Sequence, residues 1–152
     1  MTEDIQLTKE GLAKLKLELH ELKTVKRQEL AARLAAAKEL GDLSENADYQ
    51  MAKEELSWTE GRINELEHTI NRATIAAAPT AGVVSIGSTV TTQVNGQTRI
   101  FMIVGATEAD PSHGKISSES PLGAALLSAK QGDDVLVKTP TGTVRYRVVT
   151  VE

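Results

Sequence analysis

Apolar side chains recur in steps of three and four along the first half of the chain, which is the spacing of one face of an α-helix. In the second helical segment, predicted from Glu45 to Ala73, the repeating positions are Tyr49, Ala52, Leu56, Thr59, Ile63, Leu66, Ile70 and Ala73. In the first segment, predicted from Lys9 to Leu40, they are Leu12, Leu15, Leu19, Leu22, Leu30, Leu34 and Ala37. The first series slips at Val25, as a stutter between heptads produces, and Thr8 is predicted to cap its helix. Both segments are therefore predicted to be coiled-coil helices.

The connection between the two predicted helices is short, since only Gly41 to Ser44 separate them. Such a connection cannot carry the chain to the far end of a rod, so the helices must pair antiparallel. Residues 1–75 are predicted to form an all-α antiparallel coiled-coil hairpin with its tip at residues 41–45. A coiled-coil scaffold or dimerisation element shows the same pattern, and that interpretation stays open here.

Residues 83–152 show the turn signals and two-residue alternation of short β-strands. The predicted strands are Thr89–Val94, Gln97–Gly105, Asp134–Thr139 and Thr143–Val151, paired across Asn95-Gly96 and Pro140-Thr141-Gly142. Ser120 followed by Pro121 predicts the N-cap and first position of a short helix. We predict a second, α+β domain, an antiparallel sheet with one short helix, joined to the hairpin by a linker at residues 76–82.

Composition and charge exclude several classes of function. The net charge is −4, with 17 basic and 21 acidic side chains, so no general basic field would gather a nucleic-acid backbone. One Trp, two Tyr and one Phe are too few to stack successive bases. Cysteine is absent, which removes thiol nucleophiles and thiolate metal sites. No apolar run approaches the roughly 20 residues of a membrane span, so we expect a cytoplasmic protein without a membrane partner.

The predicted tip concentrates carboxylates, since Asp42, Glu45 and Asp48 lie close together in the sequence. Asp42 and Glu45 have the spacing of a capping box, which would explain both residues by structure alone. Alternatively, these hard oxygen ligands complete a Mg²⁺ site that belongs to another molecule. Two carboxylates hold Mg²⁺ weakly, so we expect no tight Mg²⁺ binding by the isolated chain. The spacing leaves both interpretations open.

Lysines lie on both sides of the tip, Lys38 before it and Lys53 after it. As point charges they would attract a single-stranded polyanion, although solvated or charge-paired helix residues are the ordinary explanation for such lysines. Elsewhere the sequence offers no metal-binding histidine spacing, no phosphate-binding glycine loop and no nucleophile, base and acid set. The sequence therefore indicates no enzyme activity of the chain itself.

Several motifs resemble those of the bacterial Gre family of transcript-cleavage factors, in its GreA-like branch, and the resemblance covers residues 5–151. They are Gly41-Asp42-Leu43-Ser44-Glu45-Asn46-Ala47-Asp48-Tyr49, Glu60-Gly61-Arg62-Ile63, Glu108-Ala109-Asp110, Ile116-Ser117, Ser120-Pro121-Leu122 with Ala125-Leu126, and Lys138-Thr139-Pro140. The resemblance implies an FKBP-like fold for the C-terminal domain. It also implies that this domain docks, as part of a monomer, at the secondary channel of bacterial RNA polymerase through Ser120, Pro121 and Leu122.

The same resemblance implies a role for the tip. Asp42 and Glu45 would enter the channel and help hold an active-site Mg²⁺ and its attacking water, so that the polymerase hydrolyses a backtracked transcript. Lys38 and Lys53 match positions that contact the nascent RNA 3′ end, and Ser44 replaces a common lysine. The chain would have no cofactor of its own and would share the Mg²⁺ of the polymerase. A channel-blocking antagonist of the polymerase and prolyl isomerisation by the sheet domain remain as alternatives.

Overall fold

The computed structural model describes residues 4–41 and 43–152. Backbone contacts divide the chain into two compact units. One is Leu12–Arg72, and the other combines the described residues up to Gly11 with Ala73–Glu152. Among the described residues, no helix has both the length and the apolar character that crossing a membrane requires.

The hairpin consists of three α-helical segments, and its prediction is confirmed. They are α1 (Lys9–Glu21), α2 (Arg27–Glu39) and α3 (Ala47–Arg72), with a π-helical turn at Leu22–Lys26 between the first two. Ion pairs between the helices show the antiparallel direction, because Lys23 pairs with Glu67 whereas Arg33, farther along, pairs with Glu55. Helix α3 is shorter than the second predicted helical segment, which ran from Glu45 to Ala73.

The predicted seam forms the interior of the hairpin. Its buried members are Leu30, Ala37, Ala52, Thr59, Ile63 and Leu66. Tyr49 and Leu56, also on the predicted face, are half-buried. The Thr59 hydroxyl donates to the Glu55 carbonyl at 2.8 Å, which satisfies this polar group inside an apolar seam. Burial of one face therefore follows the three-and-four spacing of the sequence.

The π-helical turn Leu22–Lys26 explains the slip in the first apolar series. Val25, at the slip, is 55% exposed, whereas Leu30 is fully buried. A π-helical turn inserts one residue into an α-helix. We attribute to that insertion the rotation of Val25 out of the seam and the return of Leu30 to it.

Two short strands that the sequence analysis did not predict flank the hairpin in the sequence. Strands β1 (Ile5–Leu7) and β2 (Ala73–Ile75) pair in parallel. Leu7 is fully buried, and its carbonyl accepts a hydrogen bond from the Ala76 amide at 3.0 Å. The predicted cap of α1 is confirmed, since the Thr8 hydroxyl accepts from the Gly11 amide at 3.0 Å.

The remaining residues form a five-stranded mixed sheet with a short helix, α4 (Pro121–Leu126). The strands are β3 (Thr89–Val94), β4 (Gln97–Val104), β5 (Lys115–Ser117), β6 (Asp134–Thr139) and β7 (Gly142–Val151), in the order β5-β4-β3-β7-β6. Both predicted strand pairs are antiparallel hairpins. Strand β5, which was not predicted, runs parallel to β4, so the sheet is mixed and not purely antiparallel.

One face of this sheet carries the core of its unit. The buried cluster is Val84, Ile86, Val90, Ile103, Leu126, Ala129, Val148 and Val151. Leu126 brings α4 into the cluster, and the predicted cap of α4 is confirmed because the Ser120 hydroxyl accepts from the Gly123 amide at 3.1 Å. Asn95 and Gly96 both have positive φ, as the predicted hairpin turn between β3 and β4 requires.

Candidate metal-ligand site at the hairpin tip

The tip is organised by Asn46, which bonds to both helices. Its Oδ1 accepts from the Tyr49 amide at 3.1 Å, so it is the N-cap of α3. Its Nδ2 donates to the Ala37 carbonyl at 2.7 Å, close to the end of α2. One side chain thus satisfies an orphan donor of one helix and an acceptor of the other.

The capping box, one of the two interpretations that the sequence left open, does not form at Glu45. It requires Asp42 to be the N-cap and Glu45 to be the third helical residue, but α3 begins only at Ala47. The sequence Asp-x-x-Glu and the residue Asn46 are competing cap signals, and the bond from Asn46 to the Ala37 carbonyl selects the second. A capping box therefore does not account for the Glu45 carboxylate.

Glu45 lies immediately before the cap, and its side chain is exposed. Within residues 4–41 and 43–152, its carboxylate makes no hydrogen bond and no ion pair. Exposed glutamates on the shaft of the hairpin, meaning its helices outside residues 38–53, share this property, as Glu29 does, so exposure alone does not mark a site. What distinguishes Glu45 is its place in the connection at the end of the hairpin. Asp42, the other predicted ligand, lies outside the described residues.

The two predicted RNA-contacting lysines are both exposed, Lys38 in the last turn of α2 and Lys53 in the second turn of α3. Neither forms an ion pair with any residue in the described part of the chain. The charge-paired explanation for these lysines therefore fails there, and they remain solvated cations near the acidic tip. Tyr49 is half-buried at the start of the seam, in agreement with a packing role.

Charged residues on the shaft are arranged differently, because many of them neutralise one another. Arg62 bonds to Glu18 at 2.7 Å and to Glu65 at 2.8 Å, and these bonds raise its pKa. Glu55 accepts from Lys26 and from Arg33, and these bonds lower the pKa of its carboxyl. The pairs Arg62–Glu18, Lys26–Glu55 and Arg33–Glu55 link side chains of different helical segments.

The described residues contain no cluster of three or more His, Cys, Asp or Glu side chains able to hold a metal ion. The tip of this chain, as far as it is described, thus offers single oxygen ligands and not a complete coordination site. Mg²⁺ prefers octahedral coordination by six oxygen ligands. Such an ion at Glu45 would take most of its ligands from another molecule or from water.

The three predicted docking residues lie at the start of α4. The Ser120 hydroxyl caps the helix and also donates to the Ser117 carbonyl at 2.7 Å. Leu122 is half-buried and packs against the core, whereas Pro121 is exposed. Internal packing accounts for Ser120 and Leu122, so only Pro121 presents its side chain to solvent.

Comparison with known families covers nearly the whole chain. A family model described as the N-terminal part of transcription elongation factors matches residues 5–75. A second model, described as the C-terminal part of GreA/GreB transcription elongation factors, matches residues 78–152. Together they include both the hairpin and the sheet with α4.

Curated relatives agree with these matches. The transcription elongation factor GreA of Listeria welshimeri is 45% identical over 146 residues, which are 93% of this chain and 91% of the relative. That of Chloroflexus aggregans is 46% identical over 149 residues, 95% of each chain.

Solved structures of similar proteins include GreA factor homolog 1 of Thermus thermophilus, 30% identical with a TM-score of 0.47 and 99% of both chains covered. A GreA/GreB factor of Nitrosomonas europaea is 26% identical with a TM-score of 0.43, covering 97% of this chain and 98% of that one. The family models and the curated relatives decide its membership: the chain belongs to the GreA/GreB family of transcription elongation factors.

Proposed function

We propose that this chain binds bacterial RNA polymerase and stimulates the polymerase to cleave backtracked nascent RNA. In this proposal the hairpin enters the secondary channel, and its tip brings Asp42 and Glu45 to the active centre. The polymerase remains the enzyme, and the chain is an accessory elongation factor. The observation that carries the proposal is the cap by Asn46, because a capping box then does not explain the exposed Glu45 carboxylate.

The chemistry of the tip fits a shared Mg²⁺ better than a resident one. Glu45 supplies exposed hard oxygen atoms, and no complete ligand cluster exists among the described residues. We propose that Asp42 and Glu45 would hold the ion together with ligands of the polymerase. When bound, the ion supplies an acidified water and charge neutralisation for phosphodiester hydrolysis.

The other tip residues act through charge. Lys38 and Lys53, both exposed, would attract the phosphates of the extruded RNA 3′ end. Two lysines give only a small attraction, so we propose that they orient the RNA end and do not provide the main affinity. Asn46 contributes indirectly, because its bonds to Tyr49 and Ala37 hold the connection that carries Glu45.

Affinity is proposed to come from the unit that contains the sheet. Pro121, exposed at the first position of α4, is the proposed contact with the polymerase. Ser120 and Leu122 would support it by fixing the start of the helix. We further propose that the chain acts as a monomer in the cytoplasm.

The test uses arrested elongation complexes whose RNA is labelled. Asp42→Ala combined with Glu45→Ala is expected to lower the cleavage rate at saturating factor by about 100-fold, since metal ligands contribute several kcal/mol to such reactions. Asp48→Ala is the matched control, because it removes an exposed tip carboxylate that is not a proposed ligand. Its rate should stay within about twofold of the unmodified chain.

Other outcomes separate the alternatives. If the unmodified chain blocks nucleotide addition and shortens no transcript, it is an antagonist of the polymerase. If it has no effect on the complexes and sediments as a concentration-dependent dimer, it is a coiled-coil scaffold. If the double variant cleaves as fast as the unmodified chain, the proposed role of the tip carboxylates is wrong.

A further inference from the structure

Glu108 completes the cap of helix α1 from a distant part of the sequence. It ends a short 3₁₀ turn, Ala106–Glu108, that follows strand β4. Its Oε2 accepts from the Thr8 amide at 2.9 Å, and its Oε1 accepts from the Thr8 hydroxyl. The same hydroxyl accepts from the Gly11 amide at 3.0 Å.

These bonds reproduce a capping box whose two halves come from different elements. In an ordinary capping box the N-cap hydroxyl accepts from the amide of the third helical residue. A glutamate at that third position then accepts from the N-cap amide. Here the N-cap is Thr8 and the third position is Gly11, which has no side chain, so Glu108 takes the place of the local glutamate.

Two glycines make room for this arrangement. A Cβ atom at Gly11 would lie 2.0 Å from Glu108 Oε1, and one at Gly105 would lie 2.1 Å from the Gln6 carbonyl oxygen. Glycine has a low helix propensity. At position 11 it nevertheless leaves the space that the Glu108 carboxylate occupies. The close contacts join strand β1, the first turn of α1 and the 3₁₀ turn within one compact unit.

A local glutamate at position 11 would cap the helix equally well. Capping from residue 108 also links the first turn of α1 to the turn that follows β4. The hairpin continues from this turn, since Leu12 is the next residue of the same helix.

We propose that Glu108 is a positioning residue for transcript cleavage, in that it anchors the first turn of α1, from which the hairpin continues, to the turn that follows β4. This inference rests on the proposed function. Glu108 contacts neither RNA nor metal in it, and acts through Thr8 and the start of α1. A cap that only stabilised the helix would be replaceable by a local one.

The experiment moves the capping carboxylate from residue 108 to residue 11, within helix α1. Glu108→Ala removes the anchor, and Glu108→Ala combined with Gly11→Glu restores an ordinary capping box without the link to residue 108. Glu10→Ala is the matched control, since it removes an exposed carboxylate from the same helical turn. Three quantities are measured: hydrogen exchange of the Thr8 amide, the factor concentration that gives half-maximal cleavage, and the cleavage rate at saturation.

Glu108→Ala is expected to speed exchange of the Thr8 amide and to lower the saturating cleavage rate, each by about tenfold, as loss of a charged hydrogen-bond acceptor implies. The half-maximal concentration should change by less than about twofold, because the proposed docking residues are untouched. The double variant should recover slow exchange of the Thr8 amide without recovering the cleavage rate. Glu10→Ala should behave like the unmodified chain.

Recovery of both exchange and cleavage in the double variant would overturn the inference, because a local cap would then suffice. An unchanged cleavage rate in Glu108→Ala, or a change in half-maximal concentration alone, would overturn it as well. In each of these cases the unmodified chain still stimulates cleavage, so the proposed function stands. If the unmodified chain does not stimulate cleavage, the proposed function fails and the positioning role fails with it.

Discussion

Charged side chains are arranged differently on the shaft and at the tip of the hairpin. On the shaft, Arg62 and Glu55 each bond to two oppositely charged side chains. At the tip, Glu45, Lys38 and Lys53 are exposed and have no ion pair in the described part of the chain. The difference indicates that ion pairs link the helical segments of the shaft, whereas these three charges near the tip are exposed to solvent.

The largest effect on stability is expected in the seam of the shaft. Leu66→Ala, at a position only 1% exposed, should lower the free energy of unfolding by about 2–5 kcal/mol, because it leaves a cavity between the helices. Chemical denaturation followed by helix circular dichroism measures the change. Leu17→Ala, at a position 59% exposed, and Glu45→Ala at the tip should each shift the value by less than about 0.5 kcal/mol. A loss at Glu45 as large as that at Leu66 would contradict the division between shaft and tip.

Substitution of Asn46 tests whether this residue stabilises the tip independently of the tip carboxylates. Asn46→Ala should lower the free energy of unfolding by about 1 kcal/mol, because α3 loses its cap and Ala37 loses a donor. Asn46→Asp keeps an N-cap oxygen but cannot donate to the Ala37 carbonyl, so it should recover part of the loss. Full stability of Asn46→Ala in the same denaturation assay would show that Asn46 is not the cap.

The charges of the shaft predict a smaller, pH-dependent effect. Bonds from Lys26 and then Arg33 lower the pKa of Glu55. A carboxyl whose pKa is lowered by folding stabilises the folded chain above its ordinary pKa of about 4.5. That contribution is lost as the pH falls through the lower pKa of the folded state. The stability difference between the unmodified chain and Glu55→Gln should therefore shrink as the pH is lowered into this range.

The matched control for this pH series is Glu54→Gln. Glu54 is an exposed neighbour on the same helix and makes no ion pair in the part of the chain that the structure describes. Its substitution should leave the pH dependence of unfolding unchanged. Equal behaviour of the Glu54 and Glu55 variants would mean that the ion pairs of the shaft add nothing measurable to its stability.

The long elements were predictable because each buries one face over many residues. The three-and-four spacing predicts the seam of α3, and the turn at Asn95-Gly96 predicts the register of β3 and β4. Strands β1 and β2 were not predictable in the same way. Each has three residues, too few for a period to appear, and they form only because they pair with each other across the sequence.

The cap of α3 shows why boundaries are harder to predict than elements. Asp and Asn are both favoured N-caps, and the sequence left a cap at Asp42 open as one of two interpretations. The choice of Asn46 depends on its bond to the Ala37 carbonyl, a contact between two helices that local spacing does not contain. The metal-ligand role of Asp42 and Glu45 stays a prediction.

Glu108 is the clearest case of a residue whose structural role sequence reasoning missed. The family-like motif Glu108-Ala109-Asp110 was identified without a role. Its partner Thr8 lies 100 residues away, beyond any local pattern. A signal did exist in Gly11, a poor helix former at the third position of a helix, where a glutamate would complete the cap.

If Glu45 helps hold a Mg²⁺ shared with RNA polymerase, as we propose, the dependence of cleavage on Mg²⁺ is the most direct test. Cleavage rates of arrested complexes are measured over a Mg²⁺ series with the unmodified chain and with Glu45→Gln, which keeps the shape but loses the charge. We expect Glu45→Gln to need at least about tenfold more Mg²⁺ for half-maximal rate, as loss of a metal ligand implies. The same Mg²⁺ dependence and the same rate for both chains would contradict the claim.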